Sequence, residues 1–266
     1  MHTTLATLFD RLDQPRTSHL RVIPWSSPVP SFGDLRRSAV ATLGLNPSNR
    51  EFVDDDGSEL DGSYRRFHTL RSLSLRSWAD VDAHHLRMVE DSCRDYFFRN
   101  PYDRWFRRLD AILSSTGASF YNAFSSACHL DLIPFATDCK WTDLEASQRL
   151  RLLDVAGDSL ALLLRNSPVK ILIINGQSVV DHFQQLAGVR LDRQEMKSWS
   201  LPRQSGAGVT GVAYRGVVTA LSGFPLGHKL LVLGYNHNLQ SSFGVTNEVV
   251  DGIRRWIGMQ AAGETV

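Results

Sequence analysis

Residues 169–174, Val-Lys-Ile-Leu-Ile-Ile, constrain the fold of this chain more than any other stretch. A short run rich in β-branched residues and leucine, ended by Asn175-Gly176, fits a strand buried on both faces. Such strands lie at the centre of parallel sheets whose two faces are covered by helices. The residues that follow, 178–187, carry the apolar spacing of a helix. A strand feeding directly into a helix is the repeating unit of α/β folds.

The same rhythm recurs along the chain. Apolar runs at about 38–43, 119–124 and 229–234 read as further strands, and 211–221 alternates like a hairpin strand. Helical spacing covers 3–12, 83–98, 102–115, 144–165 and about 246–259, the last with Thr246 in capping position. Residues 46–77 form a long polar loop, which in a compact domain is usually functional or disordered. The expectation is a three-layer α/β/α sandwich around a central, mostly parallel sheet. No repeat or linker divides the 266 residues, so one domain is expected. Its core spans 38–258, and 1–37 reads as an N-terminal helix and loop extension.

Composition narrows the class. Apolar residues make up 42% and charged residues 21%, as in ordinary globular chains. No apolar run approaches the roughly 20 residues that span a bilayer. The first ten residues lack the basic start and apolar centre of a signal peptide, so a cytoplasmic, membrane-free protein is expected. Cys93, Cys128 and Cys139 are scattered and odd in number, which argues against a disulfide framework, a zinc site or an iron–sulfur cluster. No metal or cofactor is expected, and a monomer is. The net charge of +1 supplies no global field for nucleic acid. Apart from Lys140, Lys170, Lys197 and Lys229, the basic residues are arginines. Arginine suits bidentate phosphate contact, although a GC-rich genome enriches it equally. Neither G-x-G-x-x-G after a strand nor G-x-x-x-x-G-K-[ST] occurs, which disfavours nicotinamide dehydrogenases and P-loop enzymes.

Three polar loops follow expected strands, at 44–50, 129–137 and 235–244. Parallel strands bring such loops to one sheet edge, where ligands bind in open α/β folds. In the first, Gly44-Leu45-Asn46-Pro47 holds an amide on a stiff turn, since Gly44 permits close approach and Pro47 fixes the backbone after Asn46. The second carries Asp131-Leu132-Ile133-Pro134, and the third Asn236-His237-Asn238-Leu239-Gln240-Ser241-Ser242. Taken in order, these three loops resemble the uracil-DNA glycosylase superfamily, over about residues 38–258.

The resemblance implies a monofunctional DNA glycosylase that flips a base from DNA and hydrolyses its N-glycosidic bond without a metal or cofactor. It makes Asn46 the catalytic residue that holds water against the sugar, and His237 a donor to a base oxygen. Leu45, Phe52, Asp131 and His129 become candidates for base binding, Phe52 by stacking. Ser48, Asn49, Arg50, Arg65, Arg66, Asn238, Leu239, Gln240, Ser241 and Ser242 become candidates for DNA contact, with Leu239 or Gln240 as a wedge. Each has a plainer alternative: an Asx turn at Asn46, a core role for Phe52, turn chemistry for the serines and a polar loop position for His237. Asp54, Asp55 and Asp56 offer alternative water activators or form a solvated turn.

Two positions depart from the superfamily pattern. Asp131 stands where uracil-specific members carry Asn. A carboxylate only accepts hydrogen bonds, so it suits the exocyclic amine of cytosine and opposes uracil O4. The base expected is therefore a modified cytosine, with a role in defence against phage carrying modified DNA. The alternatives are repair of uracil or damaged bases, action on free nucleosides or nucleotides, and a non-catalytic nucleic-acid binding module. Asp131 capping the Ile133-Pro134 turn, with His129 reading the base, is the other possibility at this site. The third motif has Asn238-Leu239 where the superfamily has Pro-Ser after the histidine.

Overall fold

The computed structural model describes residues 2–14, 19–122, 126–202, 208–239 and 244–263. Six strands form one sheet: β1 (Val40–Gly44), β2 (Ala127–Asp131), β3 (Ile171–Asn175), β4 (Asp192–Leu201), β5 (Val209–Leu221) and β6 (Phe224–Tyr235). Their order is β2-β1-β3-β6-β5-β4. The first four in that order are mutually parallel, and β5 and β4 join antiparallel. The run at 169–174 is thus an inner strand, with Leu172, Ile173 and Ile174 fully buried. Helices flank the sheet: α1 (His2–Leu12), α2 (Ala83–Arg94), α3 (Asp103–Leu113), α4 (Ala146–Ala156), α5 (Ser159–Leu164), α6 (Gln177–Ala187) and α7 (Asn247–Ala262). None of these is long and apolar enough to cross a membrane.

Several elements differ from the sequence expectation, each for a local reason. The expected strand at 119–124 does not form over its described part. Asp110 accepts from the Phe120 amide at 2.7 Å and from the Ser119 hydroxyl at 3.0 Å. That cap turns the Phe120 ring onto Phe97, stacked at 4.6 Å, and pairing begins only at Ala127. The expected helix at 144–165 breaks at Gly157, where a Cβ would come within 2.5 Å of Leu186. The polar stretch of β4 carries no strand pattern, yet it pairs with β5 as the outer strand of a hairpin. Gly211 accommodates the irregularity in that hairpin, since a Cβ there would meet Trp199 Cβ at 2.3 Å.

The segment before β1, expected as a helix and loop extension, begins with α1 and then runs along the sheet: residues 22–32 lie antiparallel to the outer edge of β2. Phe32 and His129 exchange two backbone hydrogen bonds of 2.9 Å, and the Ile23 and Val29 amides donate to Ala136 and Pro134. An edge strand that would otherwise expose its backbone is thereby covered. The Phe32 ring then seats among Phe67, Tyr96, Phe106 and His129 at 5.0–5.3 Å.

Candidate functional site

Parallel pairing sets Gly44, the last residue of β1, beside Asp131, the last residue of β2. Pairing continues past both strands, since the Leu132 and Ile133 amides donate to the Gly44 and Leu45 carbonyls. The first two expected motifs therefore meet at one sheet edge. Gly44 is needed there, because a Cβ would lie 2.4 Å from Asp131 Oδ1 and 3.0 Å from His129 Nε2. The missing side chain leaves room for a carboxylate and an imidazole at the mouth of the strands.

Asp131 is 5% exposed, with His129 Nε2 3.4 Å from its Oδ1. The other ring nitrogen of His129 lies 2.7 Å from the Thr42 hydroxyl. Phe32, Trp105 and Phe106 enclose the imidazole. Both of its nitrogens thus face protein groups, which makes His129 a support for Asp131 rather than the reader of a ligand.

Asn46 is half-buried, and its amide nitrogen donates to Thr137 Oγ1 at 2.9 Å and to the Pro47 and Phe135 carbonyls at 3.2 and 3.4 Å. Thr137 donates in turn to the Cys139 carbonyl at 2.7 Å. Reversing the amide would set its oxygen against two carbonyls, so this network fixes its orientation. No donor reaches Asn46 Oδ1 among the described residues, and that oxygen is the group left to accept from water or substrate.

A second carboxyl, absent from the sequence reading, completes the cluster. Glu51 ends the 3-10 turn Asn49–Glu51 that follows the Asn-Pro-Ser loop, and it is 3% exposed. The Tyr96 hydroxyl donates to its Oε2 at 2.8 Å, and Arg66 Nε is 3.9 Å from the same oxygen. Burial pushes the Glu51 carboxyl up to about 7, against the opposing pull of Arg66 and Tyr96 and with a smaller push from Asp131. The Tyr96 phenol is raised by burial and by Glu51, and its oxygen accepts from the Tyr102 amide at 2.9 Å. The only local signal for Glu51 is an acidic residue five positions beyond Asn46. Its burial depends on Tyr96, far away in sequence.

The other expected site residues are placed as follows. Leu45 is half-buried beside the cluster. Ser48 caps the 3-10 turn through the Arg50 amide at 3.2 Å, donates to Asn49 Oδ1 at 3.3 Å and is exposed. Arg50 pairs with the exposed Asp55 at 3.0 Å, and Asp54 accepts from the Asp56 and Ser58 amides, so 54–56 form a solvated turn. Arg65 lies 3.7 Å from Asp61. Four expectations are corrected. Phe52 is 1% exposed and packs between Trp25 and Phe67, so its ring offers no face for stacking. Arg66 is an internal strap, donating to the Asn100 and Arg50 carbonyls, rather than a free phosphate contact. His237 is 2% exposed, its Nε2 donates to the Trp199 carbonyl at 2.6 Å, and burial lowers its basicity. It ties the third loop to β4, on the far side of the sheet from β1 and β2. Leu239 is fully buried and cannot serve as a wedge.

The third loop is nonetheless anchored at the same sheet edge. The Asn236 carbonyl accepts from the Gln177 amide, and the exposed Asn238 lies against Gly176. Gln240, Ser241 and Ser242 fall outside the described residues. The cluster of Asn46, Asp131, His129 and Glu51 can hold a water, accept from a donor-bearing ligand and keep one carboxyl partly protonated near pH 7. No protein-family model matches the chain, and no curated protein matches it.

Proposed function

We propose that the chain is a monofunctional DNA glycosylase, with a fold like that of uracil-DNA glycosylases, acting on a modified cytosine. The observation that carries this reading is the Asp131 carboxylate set against Gly44 at the mouth of β1 and β2, two residues from Asn46. Hydrolysis of an N-glycosidic bond builds positive charge on the sugar and negative charge on the departing base. Asn46 Oδ1 orients a water toward the sugar, its amide held in place by Thr137. Asp131 accepts from the exocyclic amine of the flipped base and disfavours uracil, whose O4 is an acceptor. His129 keeps that carboxylate in position. Plain cytosine is too abundant in host DNA to be a tolerable substrate, so a modification must be recognised as well, and defence against phage with modified DNA is the setting that fits.

The test is a set of oligonucleotides bearing uracil, mismatched thymine, hypoxanthine, hydroxymethylcytosine and glucosylated hydroxymethylcytosine, followed by alkali to cleave abasic sites. Scission at a modified cytosine is the expected result. No scission on any substrate overturns the enzyme reading, and scission at uracil alone overturns the role of Asp131.

A further inference from the structure

The first turns of α3 border a cavity of about 330 Å³ lined by Tyr102, Arg104, Trp105 and Arg108. It opens beside the site, because the Trp105 ring meets His129 edge-on at 4.8 Å and His129 reaches Asp131. It also adjoins the third loop, since Arg108 donates to the Leu239 carbonyl. Among the described residues, the lining is two aromatic rings and two guanidinium groups, with no carboxylate. Arg104 and Arg108 are exposed, and neither has an ion-pair partner among the described residues, whereas Arg107, on another face of the same helix, pairs with Asp103 at 3.3 Å. The Arg66 guanidinium sits 5.6 Å from the centre of the Tyr102 ring, which adds positive charge behind that wall.

A ligand matched to these groups has a flat aromatic face and an anionic group next to it. Aromatic platforms flanked by cationic side chains are how proteins hold single nucleic-acid strands. We infer that this cavity is a binding subsite for one nucleotide of a DNA strand, its base stacked on Trp105 and its phosphodiester held by Arg104 and Arg108. The nucleotide is a neighbour of the flipped one, because the cavity opens beside the Asp131 cluster and not within it. The choice of DNA rests on the proposed function; the stacking and phosphate contacts rest on the cavity alone.

The experiment measures binding of a fluorescein-labelled dT12 strand to the full chain by anisotropy, at about 50 and 200 mM salt. Trp105→Ala is expected to weaken binding at least about fivefold, the lower end of the loss of one stacked base. Trp105→Phe should retain most of the affinity. Arg104→Gln is expected to flatten the salt dependence by about 0.7 in log–log slope, the loss of one phosphate contact to a single strand. Circular dichroism melts check the fold; should Trp105→Ala lower the melting temperature, Arg104→Gln and Trp105→Phe decide. Affinity within twofold of the parent in Trp105→Ala, or an unchanged salt slope in Arg104→Gln, overturns the inference. So does competition by thymidine monophosphate at concentrations similar to dT12, which would make the cavity a free-nucleotide site. The two readings separate cleanly. Loss of dT12 binding in these variants with no excision on any substrate keeps the subsite and removes the glycosylase. Excision with unaltered variant binding does the reverse.

Discussion

An amide and a carboxylate differ at one ligand-facing atom, and that atom decides which base edge fits. Asp131→Asn supplies a donor where the parent only accepts. The expected outcome is a shift of preference from cytosine-type toward uracil-type bases by about tenfold to a hundredfold, the worth of one well-placed base contact. Excision rates on paired oligonucleotides measure it, and an unchanged preference would remove Asp131 from base readout. Glu51 makes a different demand on the protein. Its folded-state carboxyl, pushed up to about 7, titrates above the ordinary value near 4.5 expected of the unfolded chain. Between those values the folded protein binds the extra proton, so stability falls as pH rises through that window and levels off above about 7. The span corresponds to roughly 3 kcal/mol. Glu51→Gln keeps the shape and lacks the charge, so its melting temperature is expected to fall less between about pH 5 and pH 8. Parallel melting curves for parent and variant across that range would show that Glu51 is not the titrating group.

At the scale of elements, the site is a matter of register. β1 and β2 end together, and a glycine on one strand makes room for a carboxylate on the other. Gly44→Ala places a methyl 2.4 Å from Asp131 Oδ1 and 3.0 Å from His129 Nε2. The carboxylate must move, at a cost of about 1–3 kcal/mol, as in other overpacked sites. Loss of excision with a folded but less stable protein is expected; a variant with parental urea midpoint and parental excision would mean that the two strand ends do not form the site. How much of this was legible follows from how local each signal is. Gly44, Asn46 and Pro47 act through their own backbone chemistry, so the loop reads from the sequence directly. The buried strand at 171–175 reads from composition for the same reason. β2 begins later than the apolar run at 119–124 implies because Asp110, nine residues upstream, caps Ser119 and Phe120 and delays the strand. β4 leaves no pattern in the sequence because an outer strand needs no apolar alternation when a hairpin partner provides its hydrogen bonds. Glu51 joins the Asp131 cluster, and Trp105 and Arg108 border it, through contacts with Tyr96, His129 and Leu239, none of which leaves a trace in the local sequence.

At the scale of the whole molecule, the question is whether residues 1–37 are an addition to the fold or a part of it. Their composition, with Pro24, Pro28 and Pro30, reads as a loop extension. Their contacts tie them to the core. Leu5, Leu8, Phe9 and Leu12 of α1 are buried, with Phe9 against Trp78 at 5.0 Å, and Arg11 holds Asp158 at the start of α5. Residues 22–32 close the edge of β2, the strand that carries His129 and Asp131. Phe32 alone sits among four rings, His129 included, and truncating such a buried aromatic costs about 3–5 kcal/mol. Set against a total stability of about 5–15 kcal/mol for a typical domain, one residue then accounts for much of the margin. Phe32→Ala is therefore expected to lower the urea midpoint sharply while the remaining protein still unfolds cooperatively. Deleting 1–37 removes Phe32, the strap along β2 and all of α1 together, a loss larger than the margin. The truncated chain should show no cooperative urea transition by circular dichroism or tryptophan fluorescence. A truncated chain that unfolds at the parental midpoint, with the parental slope, would mean that 38–258 folds alone and that the N-terminal segment only lies on its surface.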